Sequence, residues 1–256
     1  KNNRVRQLLV PGEGSIYPGQ VGLGQIVGLS KDRKHVLMPA FIGTTDLDLG
    51  KPVDPNYSLV QVRVDKRSRS KRVAAGSVYS TDFFVDKEGS LIAEERYDQR
   101  RNHHSVWAMK DGRLQEVLSE TTDIRTKSWV GLTPDARSLV FLDTNEDTGR
   151  SDYYEFEIAT GKITGGGFGR EDADIESVVT DINRIVHGVR YSGFTPSYKF
   201  FDAKLDQRIH GILAQYPEQS VWIVDQSQDW KHIVVYVTGS NFAGNYYLVS
   251  ENEKPI

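Results

Sequence analysis

The chain has 256 residues, of which 38% are hydrophobic and 26% are charged, so we expect a soluble globular protein with room for one large domain or two small ones. Its formal net charge of −3 gives no overall attraction to nucleic acid or to an anionic membrane, and no apolar run approaches the roughly 20 residues that span a bilayer. The absence of cysteine excludes disulfides and thiolate metal sites, and it leaves cytoplasmic and periplasmic locations open.

Five hairpin patterns recur along the chain. Each has an apolar β-type run, a tight polar turn and a second apolar run, and the five begin at Ile26, Phe83, Trp129, Ser177 and Val221. The first apolar residues after the turns are separated by 55, 48, 46 and 48 positions: Val36, Leu91, Leu139, Ile185 and Ile233. Each hairpin is followed by a third strand, whose turns centre near Asp65, Asp111, Thr160, Leu205 and Glu251. A short fourth strand is predicted after the first four of these, as in LQEVLSE and QRIHGILA.

A repeat of about 48 residues with four short antiparallel strands is typical of β-propeller blades. We find no convincing amphipathic helix. The sequence therefore predicts an all-β fold, with residues 1–256 forming a single β-propeller domain of about five readable blades. Their expected bounds are 20–80, 81–123, 124–170, 171–216 and 217–256. A β-sandwich is the alternative fold, but it does not predict so regular a recurrence.

The two ends of the sequence look like cut ends, so we expect a fragment of a longer chain. Residues 1–19 are predicted to supply a spare outer strand and a crossing loop. The last blade lacks an outer strand, and unpaired strand edges invite aggregation. We therefore expect Arg4–Val10 to pair beside Tyr246–Ser250 and close a five-bladed ring, or to pair with a neighbouring molecule.

The segment Asp65–Arg72, DKRSRSKR, is the most basic stretch of the sequence. Its five cations lie within eight residues: Lys66, Arg67, Arg69, Lys71 and Arg72. Such a run could bind a phosphate-rich partner, but it carries no aromatic residues on which bases would stack. We interpret it as a solvated outer edge of the first blade, whose charges oppose edge-to-edge pairing. We predict no nucleic-acid partner.

Two segments have some features of metal sites. The pair His103–His104 follows two arginines, but neighbouring strand residues point to opposite faces, and no third ligand lies at a useful spacing. We expect a polar loop between the second and third strands there. Asp143–Asp152 alternates oxygen-bearing side chains as calcium loops do, but Thr148 and Tyr154 stand where glycine and glutamate are required. We expect a surface turn, and we predict no metal and no cofactor.

Three consecutive glycines, Gly165–Gly167, lie in GGGFGR and suggest a loop that cradles phosphate. Such loops join a strand to a helix and present backbone N–H groups at the helix start. Here a hairpin precedes the glycines and another strand follows. We therefore expect a loop that crosses from the third blade to the fourth, with glycine providing backbone freedom.

Tyrosines recur where the third strands begin. Large side chains are needed between stacked, twisted sheets, so we expect these residues to pack between blades rather than to form an aromatic cage for a ligand. The residues are Tyr57, Tyr153, Tyr154, Tyr198, Tyr246 and Tyr247.

Three segments resemble blades of the prolyl oligopeptidase family of serine peptidases. They are LTPDARSLVFLDTNEDTGRSDYYEFEIATGKIT, WIVDQSQDWKHIVVYVTGSNFAGNYYLVS and FFVDKEGSLIAEERYDQRRNHHSVWAMKDGRLQEV. The resemblance is closest to the bacterial acylaminoacyl-peptidase-like and dipeptidyl-peptidase-like branch. It implies an N-terminal propeller followed by a C-terminal α/β-hydrolase domain that bears the catalytic Ser, Asp and His. Similar blades occur in other propellers, including periplasmic protein-binding ones.

No catalytic residue of that family can be placed on this chain. A nucleophile elbow reads G-x-S-x-G on a strand–turn–helix, and neither GEGSIYPG, which contains Ser15, nor VTGSNFAG fits it. The first functional hypothesis is therefore a non-catalytic propeller of a serine hydrolase, which covers the active site and limits access of peptide substrates through the propeller. The alternative is a protein-interaction propeller with no enzyme attached. A third hypothesis, a metal-dependent enzyme in the central channel, lacks a ligand set, because Asp86, Asp181 and Asp225 fall near turns.

Overall fold

A computed structural model describes residues 5–20, 23–45 and 52–251, which contain eighteen strands and one helix. The first sheet has β1 (Gly28–Leu29), β2 (His35–Thr45), β3 (Pro52–Arg63) and β4 (Lys71–Ala74). The second has β5 (Ser80–Val85), β6 (Leu91–Asp98), β7 (His103–Lys110) and β8 (Arg113–Thr121). The third has β9 (Ser128–Leu132), β10 (Ser138–Thr144), β11 (Ser151–Glu157) and β12 (Ile163–Gly165). The fourth has β13 (Ile175–Thr180), β14 (Val186–Tyr191) and β15 (Ser197–Phe200), followed by α1 (Ala203–Leu213). The fifth has β16 (Ser220–Gln226), β17 (His232–Gly239) and β18 (Phe242–Ser250).

In every sheet the strands are antiparallel and pair in chain order, so that each sheet is a meander complete before the next begins. We call the five sheets blades one to five. The first three have four strands and the last two have three. Five consecutive meanders joined end to start are the architecture of a β-propeller, and the predicted fold class is confirmed.

The turn between the first two strands is the same in all five blades. Its fourth residue has a positive φ: 55° at Arg33, 82° at Gly89, 55° at Ala136, 59° at Arg184 and 58° at Trp230. In each turn the N–H of that residue donates to the carbonyl three positions earlier, as from Ala136 to Thr133 at 2.8 Å. This common geometry is the structural basis of the repeat seen in the sequence.

Neighbouring blades bury apolar side chains between them, and side chains alternate between the two faces of a strand. Phe83 of blade two therefore packs against Leu59 of blade one, while the next residue, Phe84, packs with Trp129 of blade three. Val140 joins a cluster with Val189 of blade four, and blade four packs on blade five through Phe200 and Val235. Four such interfaces connect blades one to five.

The remaining face of blade one is covered by the N-terminal segment. Leu9 and Ile16 are buried in a cluster with Val36, Met38 and Val60. Described residues 5–10 form no strand, so the expected pairing of Arg4–Val10 beside Tyr246–Ser250 is wrong within this part of the chain, while pairing with a neighbouring molecule stays a prediction. Because the segment carries apolar side chains, it packs against blade one instead of pairing as a strand with blade five.

The fourth strand predicted in blade four is also wrong. Residues 207–214 fall mostly in α1, and Leu205, the expected turn centre, lies in its first turn. The Asp202 carboxylate caps the helix by accepting from the Leu205 N–H at 2.8 Å. Ile209 and Ile212 bury the inner face of the helix against the fourth and fifth blades. No helix in the described residues is long and apolar enough to cross a membrane.

The tyrosines largely confirm the expected packing. Tyr153 is fully buried between blades three and four, and Tyr198 is buried between blades four and five. Tyr57 lies 5.8 Å from Phe83, ring centroid to ring centroid. The exception is Tyr246, which is 67% exposed and faces away from the interface with blade four.

Candidate functional site at the propeller axis

Asn183, in the repeated turn of blade four, reaches two other blades. Its side-chain Nδ2 donates to the carbonyls of Leu29 at 3.1 Å and Asp86 at 2.7 Å, and its Oδ1 accepts from the Leu29 N–H at 3.0 Å. Leu29 belongs to the first strand of blade one, and Asp86 follows the first strand of blade two. A side chain that joins three blades in this way lies where their first strands converge, at the propeller axis.

Arg184, the next residue, extends this connection to blade three. Its Nη1 donates to Asp82 Oδ2 of blade two at 2.7 Å, and its guanidinium also donates to the carbonyls of Trp129 and Val130 of blade three, each at 3.3 Å. The guanidinium carbon lies 4.4 Å from the centroid of the Phe84 ring. We call Asn183, Arg184 and Asp82 the axial cluster. Its hydrogen bonds tie blades one to four together at one level of the axis.

The Asp82–Arg184 ion pair is mostly buried, with side-chain exposures of 15% and 19%. Burial raises the pKa of the Asp82 carboxyl, and the opposing effect of the Arg184 guanidinium is smaller. The ion pair is thus largely shielded from water. Loss of either side chain would leave the charge of the other buried without a partner.

A cleft of about 630 Å³ opens beside the axial cluster. The turns of blades one and two form one wall, where Lys31 pairs with Glu88 at 2.8 Å. Blades four and five form the other wall, which exposes Ile182 and Val224. The cleft holds cations, carboxylates and apolar groups, but no group of three His, Asp or Glu residues in the described part of the chain is arranged to hold a metal ion.

The two histidines predicted to lie in a polar loop begin β7 instead. They point to opposite faces, as expected, because His103 contacts Ser119 while His104 is completely buried. His104 Nε2 lies 2.9 Å from Glu95, and its Nδ1 lies 2.9 Å from Glu120. Both ring nitrogens face carboxylates, so the ring is arranged as a doubly donating imidazolium. Burial alone would lower the pKa of His104, but the hydrogen bonds to the two glutamates outweigh it and raise that pKa.

The segment that alternates oxygen-bearing side chains is a surface turn, as predicted. Asn145 Oδ1 accepts from the N–H groups of Asp147 and Thr148, at 2.9 and 3.3 Å, and Gly149 has a φ of 68°. The side chain that resembles a calcium ligand is thereby used to hold the turn.

The glycine cluster lies where the sequence predicted a crossing loop. Gly165 ends β12, and Gly166 and Gly167 start the link to β13. Only Gly167 of the three has a positive φ, 69°. At Gly166 a Cβ would lie 2.2 Å from Cδ1 of the buried Tyr153, so this glycine is required for space rather than for backbone freedom.

Two serine–histidine pairs occur in the described residues. His103 Nε2 lies 2.9 Å from Ser119 Oγ, and His232 Nδ1 lies 3.1 Å from Ser250 Oγ. A catalytic triad also needs an acid on the second ring nitrogen. No such acid contacts either ring among the residues that the structure describes, and Ser15 lies in a turn without a following helix.

The axial cluster was not identified from the sequence. Asp86, Asp181 and Asp225, the candidate acids of the inner strands, do not come together as a ligand set in the described residues. The Asp181 carboxylate accepts within its own turn, from the N–H groups of Asn183 and Ile185. In the turn DINR only the amide of Asn183 distinguishes blade four, because blade one also has an arginine, Arg33, at the fourth position of this turn.

No protein-family model and no curated protein sequence matches the chain. Among solved structures, it is similar to a puromycin-hydrolyzing peptidase of Mycobacterium tuberculosis, with TM-score 0.48 and 11% identity over 89% of this chain and 36% of that chain. A second is the β-propeller domain of the Trilobed protease from Pyrococcus furiosus, with TM-score 0.43 and 11% identity over 91% and 70% of the two chains. A third is a putative TolB from Agrobacterium tumefaciens, with TM-score 0.45 and 10% identity over 89% and 78%.

The structures similar to the chain thus include propeller domains of prolyl-oligopeptidase-family peptidases, matched by structure at low sequence identity. The chain spans only 36% of the length of the Mycobacterium peptidase. The fold assignment itself rests on the strand order, the repeated turn and the four interfaces between blades.

Proposed function

We propose that the chain is the non-catalytic propeller domain of a serine hydrolase of the prolyl oligopeptidase type, and that it covers the active site and limits which peptides reach it. Its partner would be a C-terminal α/β-hydrolase domain of the same parent chain. Support comes from the resemblance of three blade sequences to that family. The serine–histidine pairs of the described residues, which lack a third member, fit a domain that does not itself catalyse hydrolysis.

The axial cluster is the observation that carries the limiting role. A peptide can move along the axis only if Asn183 releases Leu29 and Asp86 and Arg184 releases Asp82. Those bonds join blades one to four, so opening the route breaks contacts that connect four blades. We therefore propose that the closed cluster excludes large substrates from this route, while small ones enter elsewhere.

The first test uses the chain as it stands. Purified protein is expected to show no steady turnover of p-nitrophenyl esters or aminoacyl anilides, because nucleophilic catalysis requires an activated serine held by a base. Turnover that is abolished by substitution of one residue would contradict the assignment.

The second test uses the parent protein with Asn183→Ala and Arg184→Ala combined. Opening the axis is expected to raise kcat/KM for a long peptide relative to an aminoacyl anilide by about tenfold, a change of about 1.4 kcal/mol in barrier. Arg137→Ala, a change at an exposed pair in blade three, serves as the control. An unchanged ratio in a folded variant would exclude the axis as the barrier. If the parent protein holds no hydrolase, the propeller is instead a module for protein interaction.

A further inference from the structure

A groove of about 760 Å³ runs between the N-terminal segment and the hairpin that joins β3 to β4. One wall is formed by residues 5–10 and 13–16, and the other by Val62, Arg63 and residues 67–70. Arg6 fastens the first wall to the second by donating to the carbonyls of Arg63 and Val64, at 2.8 and 3.3 Å. The groove is on blade one and shares no residue with the axial cluster.

Positive charge dominates the second wall and its continuation into β4. Arg67 is 83% exposed. Lys66, Arg69, Lys71 and Arg72 are exposed as well, and no ion pair is formed by these four within the described residues. Arg63 is already held by Asp65, at 2.9 Å between Nη2 and Oδ2. The edge therefore presents four exposed cations that form no ion pair with the described residues, on a chain whose formal net charge is −3.

The groove already holds one carboxylate from a separate segment. Glu13 Oε1, on the N-terminal wall, accepts from Arg67 Nη2 at 3.2 Å across 54 residues of sequence. The pair is exposed on both sides, so a competing carboxylate can replace Glu13 at little cost. The same N-terminal wall exposes apolar side chains, with Val5 fully accessible and Val10 36% exposed.

We propose that this groove binds an acidic segment of a partner protein, with its carboxylates on Arg67, Arg69 and the cations that follow, and its apolar side chains on Val5 and Val10. Guanidinium groups match carboxylates in shape as well as in charge. The same charges repel the basic edge of a second copy of the chain, so they select an acidic strand while opposing self-association.

A phosphate polyanion is the competing ligand, and the lining favours a peptide. The described residues that line the groove include no aromatic side chain on which a base could stack. Its apolar wall would gain nothing from a phosphate chain, whereas it can bury the side chains of a peptide.

The test is fluorescence anisotropy with a short labelled peptide of glutamates interrupted by leucines, at about 50 mM salt, where charge contacts are weakly screened. We expect saturable binding that weakens as salt is added, and no binding of the same peptide with glutamine in place of glutamate. The double variant Arg67→Gln/Arg69→Gln should weaken binding at least tenfold. Arg100→Gln/Arg101→Gln removes two cations of blade two, where Arg101 is equally exposed at 83%, and should change binding less than twofold.

Three results would overturn the proposal. One is no binding by the folded native chain, and another is an equal loss in both double variants, which would indicate non-specific attraction. The third is tighter binding of inorganic polyphosphate of matched charge, which would assign the groove to phosphate. If Val5→Ala leaves the peptide affinity unchanged, Val5 does not bind the apolar side chains of the peptide, and only that part of the proposal is wrong.

Discussion

At the scale of single residues, the most consequential groups are polar and buried. Glu94 is fully buried, and it accepts from Arg96 Nε at 2.7 Å, whose guanidinium stacks 4.2 Å from the centroid of Trp107. His104 and Arg184 are also held by carboxylates, but theirs come from strands other than the element on which they lie. Buried charges of this kind fix one arrangement of strands, because any other arrangement leaves a charge without its partner.

The His104 contacts predict a pH dependence of stability. The pKa of His104 is raised in the folded protein, so the imidazolium contributes its full stabilisation below the unfolded value of about 6.5 and loses it as pH rises through the folded pKa. His104→Gln should therefore cost about 3 kcal/mol near pH 6, and the difference from the native chain should shrink toward pH 9.

Urea unfolding at a series of pH values measures this difference. His103→Gln is the matched control, since the His103 ring hydrogen-bonds Ser119 and forms no ion pair with a carboxylate in the described residues. A His104 variant whose deficit is constant from pH 6 to pH 9 would contradict a charged imidazole in the folded state.

Arg184→Ala is predicted to destabilise the protein by about 3–5 kcal/mol, because it leaves the carboxylate of Asp82 buried without its cation. Adding Asp82→Asn to the same chain should recover part of the loss by removing that charge. Arg137→Ala, whose side chain is 82% exposed, should cost no more than about 1 kcal/mol. Equal costs for the two arginines would show that the axial pair is no more than a surface contact.

At the scale of elements, the strands could be predicted and the helix could not. Neighbouring residues of one strand, such as Phe83 and Phe84, alternate between two interfaces, and that alternation is visible in the sequence. In blade four the regular recurrence favoured another strand, although Asp202 is a good N-cap and Ile209 and Ile212 share a helical face. Gly211 weakened the helical pattern. The axial cluster was beyond prediction, because it depends on which turn reaches the axis.

The glycine cluster gives a test at the same scale. Gly166→Val should destabilise the protein by about 1–3 kcal/mol, because the new Cβ would lie 2.2 Å from Cδ1 of the buried Tyr153 ring. Gly165→Ala is the matched control, since the nearest atom, Cε1 of Tyr154, is 3.9 Å away. Thermal unfolding measures both variants. ATP or phosphate should leave the melting temperature unchanged. A rise of several degrees would indicate instead that the loop binds phosphate.

At the scale of the whole molecule, blades one to five form a continuous stack, while blade one buries its other face under the N-terminal segment. The axial cluster connects blades one to four, and Gln226 of blade five donates to the Thr180 carbonyl of blade four at 2.8 Å. Every described blade is therefore joined to a neighbouring blade by hydrogen bonds as well as by its apolar faces.

We propose that this chain serves a hydrolase whose nucleophile lies outside residues 1–256. The most direct test of this claim is labelling of the native parent protein, captured from source cells with an antibody against this chain, with a fluorophosphonate probe that reacts with activated serines. We predict a labelled protein whose modified serine lies in a G-x-S-x-G sequence absent from these 256 residues. Native protein that takes up no probe, or label on a serine of this chain, would contradict the claim.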